Sequence, residues 1–186
     1  MDSVKRIRIL FVILIMSMIL LSGIDSALGQ GVGVGSASAS IVTPLSVTAN
    51  TPLKFGNVSP GVPKKVNRTA VGIDTTAAIF SVSGENLAGI SIQFILPAYM
   101  YNSSGDQMQI IFANDDCTID SLAGSPDSPG AGAWVGENPY SLPSANIGAA
   151  NGSTSIYLGG KIIPSMQQAA GSYSADILIS VAYDGT

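Results

Sequence analysis

The chain has 186 residues, a formal net charge of −4 and no histidine. The lack of histidine excludes Ser-His-Asp and Cys-His catalysis and most zinc sites. The acidic balance excludes nucleic acid as a partner, because binding to phosphates needs clustered Lys and Arg. Beyond residue 29, Lys64, Lys65 and Arg68 form the only local basic group, which is too small for that purpose.

Residues 1–29 have the pattern of a signal peptide. Three basic residues precede an apolar run at 9–21, and Ala27 and Gly29 are spaced like the −3 and −1 positions of a cleavage site. The run is shorter than the roughly 20 residues that span a bilayer. We therefore predict a secreted chain that begins at Gln30, with no membrane span after cleavage and a net charge of −5, since the segment removes three bases and two acids. An uncleaved N-terminal anchor is the alternative.

Residues 30–36 form a Gly-rich N-terminal arm. Val32 and Val34 are apolar residues at even-numbered positions, and Ala37 and Ala39 are apolar residues at odd-numbered positions. A strand that adds to the sheet of a neighbouring subunit needs small apolar residues at every second position of a flexible arm. These four residues are the candidate assembly positions, and the arm is a candidate donor strand. A disordered leader without contacts is the alternative.

Residues 37–186 show the periodicity of strands. Apolar residues alternate with polar ones in six segments, which are 37–47, 78–82, 90–96, 108–112, 156–158 and 173–183. A period of two with one apolar face indicates half-buried antiparallel strands. Short strands between Gly, Pro, Asn and Ser clusters predict a single all-β sandwich domain. Pro44 within the first segment indicates a sheet edge or a bulge.

Residues 114–154 interrupt this rhythm. The segment is rich in Gly, Ser, Pro and Ala, and we predict a long insertion loop that is either functional or mobile. Trp134 and Tyr140 are candidate ligand residues, because aromatic rings can stack against sugars. The favoured alternative is that Trp134 attaches the loop to the sandwich.

Other reactive groups are few. Asp115, Asp116 and Asp120 could bind calcium, but their spacing does not match an EF-hand loop, and a solvated turn is the favoured interpretation. Cys117 is the sole cysteine, which excludes an intramolecular disulfide, and we expect a buried or idle thiol. No catalytic residue, metal or cofactor is assigned, and the chain is not expected to be an enzyme.

Five segments resemble one family. AlaSerIleValThrProLeuSerValThrAla at 39–49 and LeuLysPheGlyAsnVal at 53–58 resemble its opening. TyrLeuGlyGlyLysIle at 157–162, ProSerMetGlnGlnAlaAlaGlySerTyr at 164–173 and IleLeuIleSerValAlaTyr at 177–183 are similar to its closing part. The family is a group of secreted bacterial β-domains, domain of unknown function 4402. The resemblance implies export across an inner membrane and an antiparallel immunoglobulin-like, pilin-like fold similar to fimbrial subunits, and it supplies no catalytic residues.

Two functions follow as expectations. The first is a structural or adhesive surface subunit in the periplasm or on the surface of a bacterium. It would assemble with other copies or related subunits by strand addition of its arm, with an export chaperone as a further partner. The second is a stand-alone secreted binding module that uses loop 114–154, where the chain departs from the family pattern, for a glycan or a protein.

Overall fold

The computed structural model describes residues 12–15, 36, 38–39, 41–122, 124–125, 128, 130, 133–149 and 151–185. The chain divides into two compact units, Met1–Ser40 and Ile41–Thr186. In the first unit, residues 12–15 form one turn of α-helix. No helix among the described residues is long and apolar enough to cross a membrane. The rest of the predicted signal peptide 1–29, and the arm 30–36 apart from Ser36, lie outside the described residues.

The second unit is built from strands. Its described part contains twelve, which are β1 (Ser46–Thr51), β2 (Lys64–Val66), β3 (Ala78–Ser83), β4 (Gly89–Ile95), β5 (Tyr99–Tyr101), β6 (Gln107–Ile111), β7 (Cys117–Asp120), β8 (Trp134–Glu137), β9 (Ala145–Asn146), β10 (Ser153–Leu158), β11 (Gly160–Ile163) and β12 (Leu178–Tyr183). They form three sheets with the orders β1-β3-β10-β7-β8, β2-β11-β6-β5 and β12-β4-β9. Every pairing between these strands is antiparallel. The predicted all-β sandwich is therefore confirmed.

The third sheet connects to the second sheet where β4 continues into β5. β4 leads into β5 across Pro97, and an isolated bridge pairs Tyr101 of β5 with Ser174. Four residues later the same C-terminal segment becomes β12, where Leu178 pairs with Ile95 of β4. Ser174 and β12 thus lie along the same edge of β5 and β4.

One apolar core lies between the layers. The alternating strands supply it: β3 contributes Phe80 and Val82, and β4 contributes Ile90, Ile92 and Phe94, all of them buried. The rings of Phe80 and Phe94 meet edge to face, with centroids 5.5 Å apart. Full burial of one such side chain stabilises the fold by about 1.5–3 kcal/mol. The period-two pattern in these strands therefore predicted which residues face inward.

The structure differs from the sequence prediction in two places. Residues 114–154, expected to be a long loop, contain β7, β8, β9 and the start of β10. β7 escaped the periodicity argument because all four of its residues are buried, so no polar face alternates with an apolar one. The first strand begins at Ser46 and not at residue 37, shortly after Pro44. β1 is an edge strand with an irregular register between Ala49 and Thr51, as Pro44 had indicated.

Candidate functional site

A hydrogen-bonded tie joins the beginning of the β1 segment to the end of β12. The Tyr183 hydroxyl donates to the carbonyl oxygen of Thr43 (2.5 Å) and accepts from the backbone N–H of Glu85 (2.8 Å). The Glu85 carboxylate accepts from the hydroxyl (2.6 Å) and the N–H (3.2 Å) of Thr43, and these bonds hold the pKa of Glu85 below its usual value of 4.5. At this end, the edges of two different sheets lie beside each other.

Gly84 makes this close approach possible. A β-carbon at position 84 would lie 2.5 Å from the Tyr183 hydroxyl oxygen and 2.7 Å from Cδ1 of Ile147. It would also lie 2.9 Å from Cδ2 of Leu45. All three distances are shorter than van der Waals contact, so a side chain at position 84 would require these neighbouring side chains, including the Tyr183 ring of the tie, to shift.

β1 and β12 are both terminal strands of their sheets. β1 pairs with β3 alone, and β12 pairs with β4 alone. Within the described part of the chain, the second edge of each strand has no strand partner. Each therefore presents unpaired backbone N–H and C=O groups along that edge, which is the usual site for pairing with another strand.

The inward face of β1 is open to solvent. Val47 lies directly opposite Val82, and Ala49 lies directly opposite Phe80, so each pair shares one face of the sheet. Val82 is fully buried, but Val47 is 38% exposed; Phe80 is buried, but Ala49 is exposed. Within the described residues, no strand covers the core beyond this edge.

The inward face of β12 shows the same relationship in the opposite layer. Its residues Ile179 and Val181 lie opposite Phe94 and Ile92 of β4. The β4 residues are buried, whereas the β12 residues are only half-buried, although they pack against the same core. We call the surface formed by Val47, Ala49, Ile179 and Val181 the open side of the sandwich.

A groove of about 830 Å³ lies at the end of these two segments away from the tie. Leu53 and Phe55, which follow β1, line it together with Tyr173, which precedes β12. The buried residues Met108 and Ile162 form part of its wall, so the groove reaches the core between the layers. The segment after β1 and the segment before β12 thus border the same groove at this end, and its lining includes the polar residues Asn57 and Gln168 as well as apolar ones.

The four predicted assembly residues precede β1 in the sequence. Val32, Val34 and Ala37 lie outside the described residues, and Ala39 is exposed and belongs to no strand. Their role stays a prediction. The open side was not predicted, because alternation in a sequence shows which residues face inward and does not show whether a neighbour covers them.

The described part of the structure shows no contact between the two predicted ligand residues, Trp134 and Tyr140. Trp134 is the first residue of β8, and its side chain lies outside the described part of the chain. Tyr140 follows β8 in a turn and is 60% exposed. One edge of its ring contacts Phe112, with centroids 6.5 Å apart.

The aspartates near β7 serve separate structural contacts. The Asp120 carboxylate is buried and accepts three backbone N–H groups, from Leu122 (2.8 Å), Gly124 (2.8 Å) and Gly130 (3.0 Å). It therefore orders the segment after β7. The described residues include no group of three or more acidic, Cys or His side chains arranged to hold a metal.

Asp116 and Cys117 are also accounted for by structural contacts. The buried Asp116 carboxylate accepts the N–H of Ala113 (2.7 Å) and pairs with Lys65 (3.1 Å). Cys117 is fully buried in the core, as expected, and burial raises the pKa of its thiol to about 12.

Comparison with known proteins identifies one family. No curated protein sequence matches the chain significantly. The family model described as "Domain of unknown function (DUF4402)" matches residues 45–183. This range runs from the start of β1 to the end of β12, so it contains both edges of the open side and includes 114–154. The chain belongs to this family of domains, DUF4402.

Proposed function

We propose that the chain is a secreted structural or adhesive surface subunit that assembles by β-strand addition. In this proposal, the N-terminal arm of one copy (residues 30–36, continuing to Ala39) lies between β1 and β12 of the next copy. The observation that carries the proposal is the exposure of inward-facing side chains on two neighbouring sheet edges. An added strand would cover these side chains and satisfy backbone groups along one edge at the same time.

β12 is the better edge for the added strand. No proline occurs between residues 165 and 183, so every residue there can donate a backbone hydrogen bond. By contrast, Pro44 and Pro52 flank β1, and the β1 register is irregular between Ala49 and Thr51. The arm would therefore pair with β12 and face β1 with its side chains.

The arm is long enough to lie along the β1 edge of the open side, and its side chains are small. The β1 segment from Leu45 to Leu53 spans about 26 Å at roughly 3.3 Å between neighbouring residues, and residues 30–39 can span about 30 Å on the same scale. Each backbone hydrogen bond contributes about 0.5–1.5 kcal/mol. Burial of Val32 or Val34 contributes about 1.5–3 kcal/mol at most. The backbone ladder therefore supplies much of the binding free energy, and small side chains suffice.

The proposal includes a location and partners. The signal-peptide pattern of residues 1–29 supports export to the periplasm or the cell surface of a bacterium. The partners are other copies or related subunits. An export chaperone would cover the open side before assembly, because an exposed sheet edge with apolar side chains promotes aggregation. The scattered acids and the lack of histidine support a role without catalysis.

The test compares the chain from Gln30 onward with variants by gel filtration and negative-stain microscopy. We expect ladders or filaments from the intact chain, and monomers after deletion of residues 30–36. Val181→Arg places a charge on the open side and should also abolish assembly. Its control, Ala182→Arg, alters the neighbouring exposed residue on the opposite face of β12 and should assemble normally.

Three outcomes would contradict the proposal. One is assembly that persists without residues 30–36. Another is equal assembly of Val181→Arg and Ala182→Arg. The third is an intact chain that stays monomeric at all concentrations. That result would instead support the alternative, a stand-alone binding module that uses 114–154. The exposed ring of Tyr140 is the observation that favours this alternative. Circular dichroism of each variant checks that the β-sheet fold is intact.

A further inference from the structure

The outer face of β5 and β6 presents two aromatic rings beside two amides. Tyr99 and Tyr101 are 41% and 51% exposed, while Met100 between them packs toward the core. Gln109 lies directly opposite Tyr99, and Gln107 lies directly opposite Tyr101. Directly opposite residues project from the same face, so two ring–amide pairs lie side by side.

Hydrogen bonds on both edges hold the backbone of Tyr99–Tyr101 in place. Tyr101 exchanges two backbone hydrogen bonds with Ser174, each 2.9 Å long, and β5 pairs with β6 on its other edge. In the turn that joins them, the Asn102 side-chain oxygen accepts from the N–H groups of Ser104 (3.0 Å) and Asp106 (2.8 Å). The two Cα atoms of the tyrosines, two residues apart on one strand, are therefore separated by about 7 Å.

A polar cleft of about 520 Å³ adjoins this face at Gln107. Its walls include Asp106, Ser165 and Gln167. Gln168 holds the far wall in place: its amide nitrogen donates to the Gln107 carbonyl oxygen (3.1 Å) and its amide oxygen accepts from the N–H of Ser165 (3.1 Å). The cleft thus continues the face with hydrogen-bonding groups on a constrained backbone.

These features match the chemistry of an uncharged sugar chain. A tyrosine ring offers a flat apolar surface with a polar tip, and a glutamine amide offers both donors and an acceptor. A sugar ring has complementary apolar C–H faces and hydroxyl groups around its rim. Tyr99, Tyr101, Gln107 and Gln109 carry no charge, and Asp106 in the adjoining cleft would repel a phosphate or sulfate chain. Lys161 lies farther along the same face of the sheet, directly opposite Ile111.

We propose that the outer face of β5 and β6 binds a neutral oligosaccharide. Tyr99 and Tyr101 stack against consecutive sugar rings, Gln107 and Gln109 bond to their hydroxyls, and the chain continues into the polar cleft. This inference does not depend on strand addition. The rings project outward from the sandwich, whereas the open side consists of inward-facing residues of β1 and β12. A glycan site on such a face would let a surface subunit adhere to a polysaccharide.

The test is a screen of the chain from Gln30 onward on an array of neutral and anionic oligosaccharides, followed by calorimetric titration of the strongest neutral ligand. We expect binding of neutral glycans, with Tyr99→Ala and Tyr101→Ala each weakening it by about tenfold or more. The control Ile73→Ala removes an apolar side chain that is 94% exposed in the segment between β2 and β3, and this variant should bind normally. Thermal melting verifies that each variant is folded.

Several results would refute binding of a neutral oligosaccharide at this face. Absence of binding to every neutral glycan at about 1 mM would refute it. Binding confined to anionic glycans, or binding that survives the Tyr99→Ala/Tyr101→Ala double variant, would refute it too. Self-association through this face, lost in the double variant while no glycan binds, would identify it as a protein contact. Because Val181→Arg leaves this face intact, glycan binding by that variant separates the two proposals.

Discussion

Val47 of β1 and Val82 of β3 lie directly opposite each other with side chains on the same face, yet Val47 is 38% exposed and Val82 is fully buried. The difference shows that the inner face of this sheet is covered at its second strand and not at its edge. The stability of the domain should therefore respond very differently to the same change at these two positions.

We expect Val82→Ala to lower the free energy of unfolding by about 1.5–3 kcal/mol, since it removes buried methyl groups and leaves a cavity. Val47→Ala should cost less than about 1 kcal/mol in a chain without residues 30–36, because its side chain is already in contact with water. Urea unfolding of both variants measures these values. If strand addition occurs, the cost of Val47→Ala should rise in the assembled protein, and equal costs in both states would contradict burial of Val47 by an added strand.

The tie at Glu85 predicts a pH dependence. Hydrogen bonds from Thr43 lower the pKa of Glu85 in the folded state, so the stability that they contribute is present above the unfolded pKa and is lost as the pH falls through the lower folded pKa. We expect the melting temperature to fall more steeply below about pH 4.5 in the wild type than in Thr43→Ala, which lacks the hydroxyl donor. Identical acid profiles of the two proteins would show that the bond is not formed in solution.

Asp120 should be essential for the segment after β7. Asp120→Ala removes the acceptor of three backbone N–H groups, from Leu122, Gly124 and Gly130, and should cost more than about 2 kcal/mol. Asp115→Ala, at an exposed neighbouring acid, is the matched control and should cost less than about 0.5 kcal/mol. Thermal unfolding compares them, and limited proteolysis should show earlier cleavage near residue 124 in the first variant only.

Cys117 should be unreactive in the folded protein. Its thiol is fully buried and its pKa is about 12, so almost no thiolate forms at pH 8. We expect no reaction with a chromogenic disulfide reagent under native conditions and one equivalent of reaction in guanidinium chloride. Rapid modification of the native protein would show that β7 opens to solvent.

The sequence predicted most of the strands that have one covered face and one exposed face. β3, β4 and β6 were found because Phe80, Ile92 and Ile110 alternate with residues that point away from the core. β7 was missed because it is buried on both faces, and its last residue, Asp120, is a carboxylate that finds its partners in the backbone and not in solvent. Periodicity detects a boundary between apolar and polar surroundings, and β7 has none.

The candidate site was less predictable than the fold. The sequence indicated a sheet edge at Pro44 and an alternating C-terminal segment. These two features correspond to β1 and β12, the two strands that border the open side. Their proximity could not be derived, because it depends on the hydrogen bonds from Tyr183 to Thr43 and from Glu85 to Tyr183, whose members are 140 and 98 residues apart in the chain. The ring pair Tyr99 and Tyr101 also went unnoticed, since a three-residue strand is too short for a periodic signal.

Gly84 limits how this domain can evolve. A methyl group at that position would be forced against Tyr183, Ile147 and Leu45, and the first of these holds the end of one layer to the start of the other. Substitution would therefore displace the Tyr183 hydroxyl and weaken its hydrogen bonds to Thr43 and Glu85. A residue outside both edge strands thus contributes to how closely the start of the β1 segment approaches the end of β12.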